Sequence, residues 1–256
     1  MTLKTLFICL LLIFPFFAQA QSKGKAISIA SSYEFTCSGT TDRIRLKILV
    51  PQNIAGKQEV VQVTYSHTPQ RVYFRDGNCY AEFLITNPSS KERIVMNADM
   101  TIYRNDFNSS SSRNIDTTSE NPEIYLKGEK YIESDDPQIS RKAQELQGYN
   151  DEETLRNIYD FVSNHVKYQG YIPQSLGARA ALLLKRGDCT EFSTLFVALC
   201  RASGLPARTV SGFTTDWTNT PCHGWVEVFI PEKGWVAFDP TPGNWQRFNK
   251  LKNRYI

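Results

Sequence analysis

Gly187-Asp188-Cys189-Thr190-Glu191-Phe192 is the stretch on which the reading of this chain turns. Asp188 is a good helix N-cap, and Glu191 stands three residues later, the spacing at which a side chain reaches back to the cap. Phe192, Leu195, Phe196 and Leu199 follow at helical spacing, and Gly204-Leu205-Pro206 stops the run. The pattern therefore predicts a helix with Cys189 in its first turn. There the unsatisfied backbone N–H groups and the positive end of the helix dipole favour a thiolate. The same N–H groups can stabilise an oxyanion. A buried structural cysteine is the ordinary alternative, and Cys200, deep in the same helix, fits it well. Cys189 fits it less well, because helix starts are seldom the deepest part of a core.

Downstream, Cys222-His223-Gly224-Trp225-Val226-Glu227-Val228-Phe229-Ile230 reads as a strand. Pro231 to Lys233 turns the chain, and Gly234-Trp235-Val236-Ala237-Phe238-Asp239 returns it. A three-residue loop pairs Ile230 with Gly234. It puts Val226, Val228, Ile230, Val236 and Phe238 on one face. His223, Trp225, Glu227, Phe229, Trp235, Ala237 and Asp239 then share the other. A one-residue slip would invert every side chain, so the apolar set selects this register. Asp239 then lies diagonal to His223, about 7–8 Å away at the backbone and within side-chain reach. Glu227 shares that face and is a second candidate to orient the histidine. Zinc is disfavoured, because Cys189, Cys200, Cys222 and His223 lack the closely paired spacing of structural zinc ligands.

Working outward, the segment before the cysteine reads as helical. Asp136-Pro137 is a cap followed by proline at the first helical position, with Ile139, Ala143 and Leu146 as the apolar stripe. A second helix starts at Asn150, with Glu153 completing a capping-box-like pair, and buries Leu155, Ile158, Tyr159, Val162 and Val166. His165 sits beside that stripe as a structural residue. Gly177 to Arg186 suits a third, short helix. Residues 106–122 are rich in Ser, Asn, Asp and Thr and read as a linker. Before them, residues 26 to about 105 read as β structure, with alternating runs at 43–50, 60–65, 71–74, 80–85 and 93–103 separated by turn residues, the pattern of a small antiparallel sandwich.

The first twenty residues read as a cleavable signal peptide. Lys4 supplies the positive region, Leu6 to Phe17 the apolar run and Ala18-Gln19-Ala20 the cleavage site. The run is short of the roughly 20 apolar residues a membrane span needs. A secreted or periplasmic location with no stable membrane anchor is the expectation. The formal net charge is +3, and removing Lys4 leaves 28 basic against 26 acidic residues, scattered without Lys/Arg-rich runs. Nucleic acid is thus not an expected partner. Of six cysteines, Cys9 lies in the signal segment, and the remaining five are an odd number for an exported chain. Cys37 and Cys79 are close enough in sequence to make a disulfide a candidate pairing.

Taken together, the chain resembles the transglutaminase-like superfamily of cysteine acyl-transfer enzymes. The resemblance rests on 187–192, on His223-Gly224-Trp225-Val226-Glu227-Val228 and on Gly234-Trp235-Val236-Ala237-Phe238-Asp239-Pro240-Thr241, in the expected order. Ala202-Ser203-Gly204-Leu205-Pro206-Ala207-Arg208 also looks like the family's helix-to-strand turn. The resemblance implies an α+β fold, a papain-like core with a nucleophile-bearing helix packed on an antiparallel sheet, here preceded by the small β-sandwich. The domains implied are 21–105 for the sandwich, 106–122 for the linker and 123–256 for the catalytic unit. It also implies Cys189 as nucleophile, His223 as base and Asp239 as its orienter, with no cofactor and no metal. Tyr168 is the candidate for an upstream oxyanion donor. Thr190 stands where animal transglutaminases carry Trp, which brings the chain closer to the microbial branch described as cysteine proteases. Expected chemistry is attack on an amide of a protein or peptide substrate, with water as the leading acyl acceptor. An amine acceptor and a non-enzymatic scaffold are the alternatives.

Overall fold

The computed structural model describes residues 24–37, 39–55, 57–103, 121–212, 223–231 and 233–241. The signal segment, Cys222 and most of the 106–122 stretch lie outside these residues. Six strands come first: β1 (Lys25–Thr36), β2 (Arg43–Val50), β3 (Gln58–Tyr65), β4 (Arg71–Arg75), β5 (Asn78–Thr86) and β6 (Lys91–Ile102). They form two antiparallel sheets, ordered β1-β6-β3 and β2-β5-β4. Alternation decides which side chains face inward: Ile48, Val50, Ala81 and Phe83 from one sheet meet Ile94 and Met96 from the other. Tyr65 packs edge-on to Phe83 across the two layers, with ring centroids 5.6 Å apart. The expected sandwich is present.

The 12-residue strand β1 is the one that apolar alternation did not single out. Its even positions are small or polar, its pattern runs from half-buried to exposed, and none of its residues is fully buried. Edge strands need little core contact, so they leave little hydrophobic signal. Cys37 and Cys79 are free thiols, and burial pushes the Cys79 thiol up. The candidate disulfide does not form. At the far end of the supposed linker, Asn121 accepts a hydrogen bond from the Glu123 N–H at 3.0 Å and caps a short 3-10 helix, Pro122–Leu126.

Four helices and a third antiparallel sheet build the rest. Helix α1 (Pro137–Glu145) is capped by Asp136, and α2 (Asp151–His165) by Asn150. In α2 the reciprocal bond is shifted by one residue, because Glu153 accepts from the Tyr149 N–H at 2.7 Å. A two-residue parallel pairing joins β7 (Lys167–Tyr168) to β8 (Arg186–Gly187), flanking α3 (Ala178–Leu184). Helix α4 (Cys189–Ala202) then runs through the middle, and β9 (Ala207–Gly212), β10 (His223–Ile230) and β11 (Gly234–Phe238) form a sheet of order β11-β10-β9. Leu195, Phe196, Val197, Ala198, Leu199 and Cys200 are all fully buried, since α1, α2, α3 and the sheet pack around α4. A helix apolar on every side is stable only when enclosed this way. Its start stays near the surface, and there Cys189 is half-buried.

Candidate active site

Each functional side chain is positioned by a local feature that physical chemistry explains. Cys189 opens α4 because Asp188 supplies the cap, accepting from the Thr190 N–H at 2.7 Å. Glu191 accepts from the Asp188 N–H at 3.1 Å, so the capping box expected from the sequence forms. Gly187 is required by close approach: a Cβ there would lie 2.2 Å from the Glu191 Cβ. His223 begins β10, whose register with β11 runs Val226↔Phe238, Glu227↔Ala237, Val228↔Val236, Phe229↔Trp235 and Ile230↔Gly234. This is the register selected by the apolar set. Val226, Val228 and Phe238 face the α4 core, as the alternation requires.

Asp239 follows β11, and α2 pins it there. The buried Tyr159 hydroxyl donates to the Asp239 carbonyl at 2.7 Å, and the Ser163 hydroxyl to the Pro240 carbonyl at 3.0 Å. The sequence had placed Tyr159 only on a buried stripe. Its polar handle could not be assigned a partner 80 residues away. The Asp239 carboxylate uses both oxygens: Oδ1 accepts from the Thr241 N–H at 2.9 Å, and Oδ2 lies 2.8 Å from His223 Nε2. That leaves Nδ1 to serve the Cys189 thiol, to which His223 is also hydrogen-bonded. A Cβ added at Gly224 would sit 3.8 Å from Cys189 Sγ, which shows how closely the start of β10 backs onto the cysteine. Burial disfavours a charged His223, but the hydrogen bonds to Asp239 and Cys189 outweigh it and raise the imidazole from 6.5 to about 9. Cys189, His223 and Asp239, chosen from three separate motifs, meet in one place.

The other candidates are placed elsewhere. Glu227 does not serve His223: it is bound by Lys57 at 2.8 Å and by Arg208 at 2.9 Å. Burial works against its charge, yet those two cations hold the carboxyl below its ordinary range. Lys57 belongs to the β-sandwich, so this ion cluster ties the sandwich to β9 and β10 of the third sheet. Arg208 also lies over Trp235, 4.2 Å from the ring centroid, and Trp235 meets Tyr125 edge-on at 5.0 Å. His165 lies 2.7 Å from the Leu182 carbonyl and stacks on Phe161, a packing role. Cys200 is enclosed in the α4 core, where burial pushes its thiol up. Tyr168 is more than half exposed and pairs with Gly187, two residues before the cysteine. Among the described residues, no group of three or more His, Cys, Asp or Glu side chains is arranged to hold a metal ion. None of the described helices is long and apolar enough to cross a membrane.

A cysteine at a helix start, a histidine at the start of a strand packed against it and an aspartate just past the next strand define a Cys-His-Asp arrangement on a helix-and-sheet scaffold. Residues 140–240 match the family described as the Transglutaminase-like superfamily. The match falls on the helix-and-sheet unit, with the β-sandwich outside it. A 73-residue segment is 42% identical to the Bacillus subtilis protein YebA, and a 67-residue segment is 33% identical to a protein-glutamine gamma-glutamyltransferase of Pseudomonas aeruginosa. These matches cover 23% and 22% of this chain and 10% of each relative, so the chain spans a small part of either. Among solved structures, one described as a candidate cysteine protease from Cytophaga hutchinsonii superposes with a TM-score of 0.69 at 18% identity. It covers 92% of this chain and 81% of that one, and thereby shows the shared fold.

Proposed function

We propose that this protein is an exported cysteine enzyme in which Cys189 attacks an amide carbonyl of a protein or peptide substrate. The observation that carries the reading is the convergence of Cys189, His223 and Asp239 from α4, β10 and the end of β11, linked by hydrogen bonds. In the proposed first step the thiolate adds to the carbonyl carbon, and the oxyanion is met by the Cys189 backbone N–H at the start of α4. The intermediate collapses with cleavage of the C–N bond, and the His223 imidazolium gives its proton to the leaving amine. A thioester remains on Cys189. Water, deprotonated by the now neutral His223, then attacks the thioester, releases the acid and restores the thiol. Asp239 keeps the proton on Nε2, so that Nδ1 faces the reacting atoms.

A second reading has an amine as the acyl acceptor. The observation favouring it is the short match to the Pseudomonas aeruginosa protein-glutamine gamma-glutamyltransferase. The thioester is common to both readings. Residues 21–105 and 123–256 are proposed as separate domains, with the sandwich in a supporting or binding role. Export is inferred from the signal-like first twenty residues.

A brief iodoacetamide pulse at mildly acidic pH, read by peptide mass mapping, tests the nucleophile. Cys189 should be alkylated well ahead of Cys37 and Cys200, and His223→Ala should slow it. Equal rates for Cys189 in the native and urea-unfolded protein would remove the main support for an enzyme. With an activated Cys189, release of peptide fragments would then be compared with incorporation of a labelled amine.

A further inference from the structure

The capping box at Cys189 makes twice as many bonds as a helix start needs. Each of the four carboxylate oxygens of Asp188 and Glu191 accepts one backbone N–H. Asp188 Oδ1 takes Thr190 and Glu191 Oε2 takes Asp188, which completes the cap. The other two oxygens reach back across the sequence: Asp188 Oδ2 takes the Ile172 N–H at 2.8 Å, and Glu191 Oε1 takes the Leu176 N–H at 2.9 Å. Asp188 is 3% exposed and Glu191 fully buried, and burial pushes the Glu191 carboxyl up. The same segment is fixed at its other end, where Tyr168 pairs with Gly187 and the Gln169 N–H donates to the Gly187 carbonyl at 3.0 Å. Residues 168–176 therefore run along the start of α4, bonded to the residues on both sides of Cys189.

The inner edge of this segment is tied down by these hydrogen bonds, and the segment carries two exposed tyrosines. Tyr168 is 56% and Tyr171 83% exposed, on either side of Gly170, whose φ of +80° makes the turn between them. Exposed aromatic residues on a segment whose backbone is bonded to both flanks of Cys189 have the makings of a binding wall.

We propose that residues 168–176 form an acyl-donor wall beside Cys189. In this arrangement Tyr168 and Tyr171 contact an aromatic or apolar side chain next to the scissile amide of a peptide, and Asp188 and Glu191 are positioning residues that hold the wall in register with Cys189. The inference rests on Cys189 being the nucleophile, and it names a peptide carrying such a side chain, rather than a small free amide, as the substrate class.

Three electrophiles separate the two ideas: iodoacetamide, a tetraglycine chloromethyl ketone and the same chloromethyl ketone with Phe as the residue that carries the electrophile. The expected result is that Cys189 reacts with the Phe probe about tenfold faster than with the glycine probe. Tyr168→Ala with Tyr171→Ala should bring that ratio to about one, by lowering the Phe-probe rate toward the glycine-probe rate. Glu191→Gln keeps the shape but turns an N–H toward one of its two donors. It should lower the ratio too and speed amide exchange at Leu176 or Asp188, with α4 still protected. A flat probe ratio in the wild type, or an unchanged ratio in the tyrosine variant, overturns the wall. Slow iodoacetamide alkylation of Cys189 in the wild type would instead sink the nucleophile reading, whatever the ratio.

Discussion

Asp239→Asn is the substitution whose consequence follows most directly from the geometry. The two donors facing this carboxylate are the Thr241 N–H at 2.9 Å and the His223 ring at 2.8 Å. An asparagine offers one acceptor and one NH₂ group. If its oxygen stays with Thr241, the NH₂ points at Nε2, which must become an acceptor. The proton then moves to Nδ1, where it cannot take a proton from the thiol. If the amide flips, a buried N–H at Thr241 loses its partner, at about 1–3 kcal/mol. The first arrangement wins, because His223 can change tautomer and a backbone N–H cannot. The rise of His223 from 6.5 to about 9 corresponds to roughly 3 kcal/mol favouring the imidazolium. With 18% of the side chain exposed, solvent screening reduces this to about 2 kcal/mol. Asp239 is the largest contributor in the raising direction, so Asp239→Asn should move His223 down by more than a unit and slow Cys189 alkylation about tenfold at pH 6. The assay is an NMR titration of the imidazoles, tractable because the chain has three histidines. His223 titrating at the same pH in both proteins, with the same tautomer, would refute the reasoning.

The raised His223 value also sets a pH window for stability. A group raised on folding stabilises the fold fully below its unfolded value and loses that contribution as pH rises through its folded value. The urea stability of wild type relative to Asp239→Asn should therefore shrink between pH 6.5 and about 9 and stay level below 6.5. Glu227→Gln leaves Lys57 and Arg208 facing a neutral group and should cost about 3–5 kcal/mol, seen as a lower urea midpoint. Gly187→Ala forces a methyl onto Glu191 and should destabilise by about 2–3 kcal/mol while slowing Cys189 alkylation, the two measured on one preparation. Tyr159→Phe removes the hydroxyl that holds the Asp239 carbonyl and should cost about 1–2 kcal/mol in the same urea titration, with the core otherwise intact.

Local signals were legible in the sequence where a residue's job is decided by its neighbours in the chain. The Asp188–Glu191 box, the caps at Asp136 and Asn150 and the three-residue hairpin loop are all of this kind, because spacing alone determines the bonds. The pairing of His223 with Asp239 followed from that hairpin register. What could not be read were bonds that close over long separations. Tyr159 reaches Asp239, Glu191 reaches Leu176, and Lys57 reaches Glu227 across 170 residues. No periodicity encodes such partners. Glu227 shows the consequence: its face was right, but its role was decided by Lys57 and Arg208, which the strand pattern does not mention. Strand β1 lies within the stretch that reads as β structure but has no legible boundaries, since an edge strand of small and polar residues buries too little to leave an apolar signature.

The central claim is that Cys189 carries an acyl group during turnover. Intact mass measurement after rapid acid quench, with a proteolytic digest of mixed proteins as substrate, tests it most directly. The account predicts adducts on Cys189 that hydroxylamine removes, that vanish in Cys189→Ser and that accumulate in a variant with slowed deacylation. A protein that processes peptides or incorporates amine with Cys189 never modified, or that keeps its activity in Cys189→Ser, would contradict it.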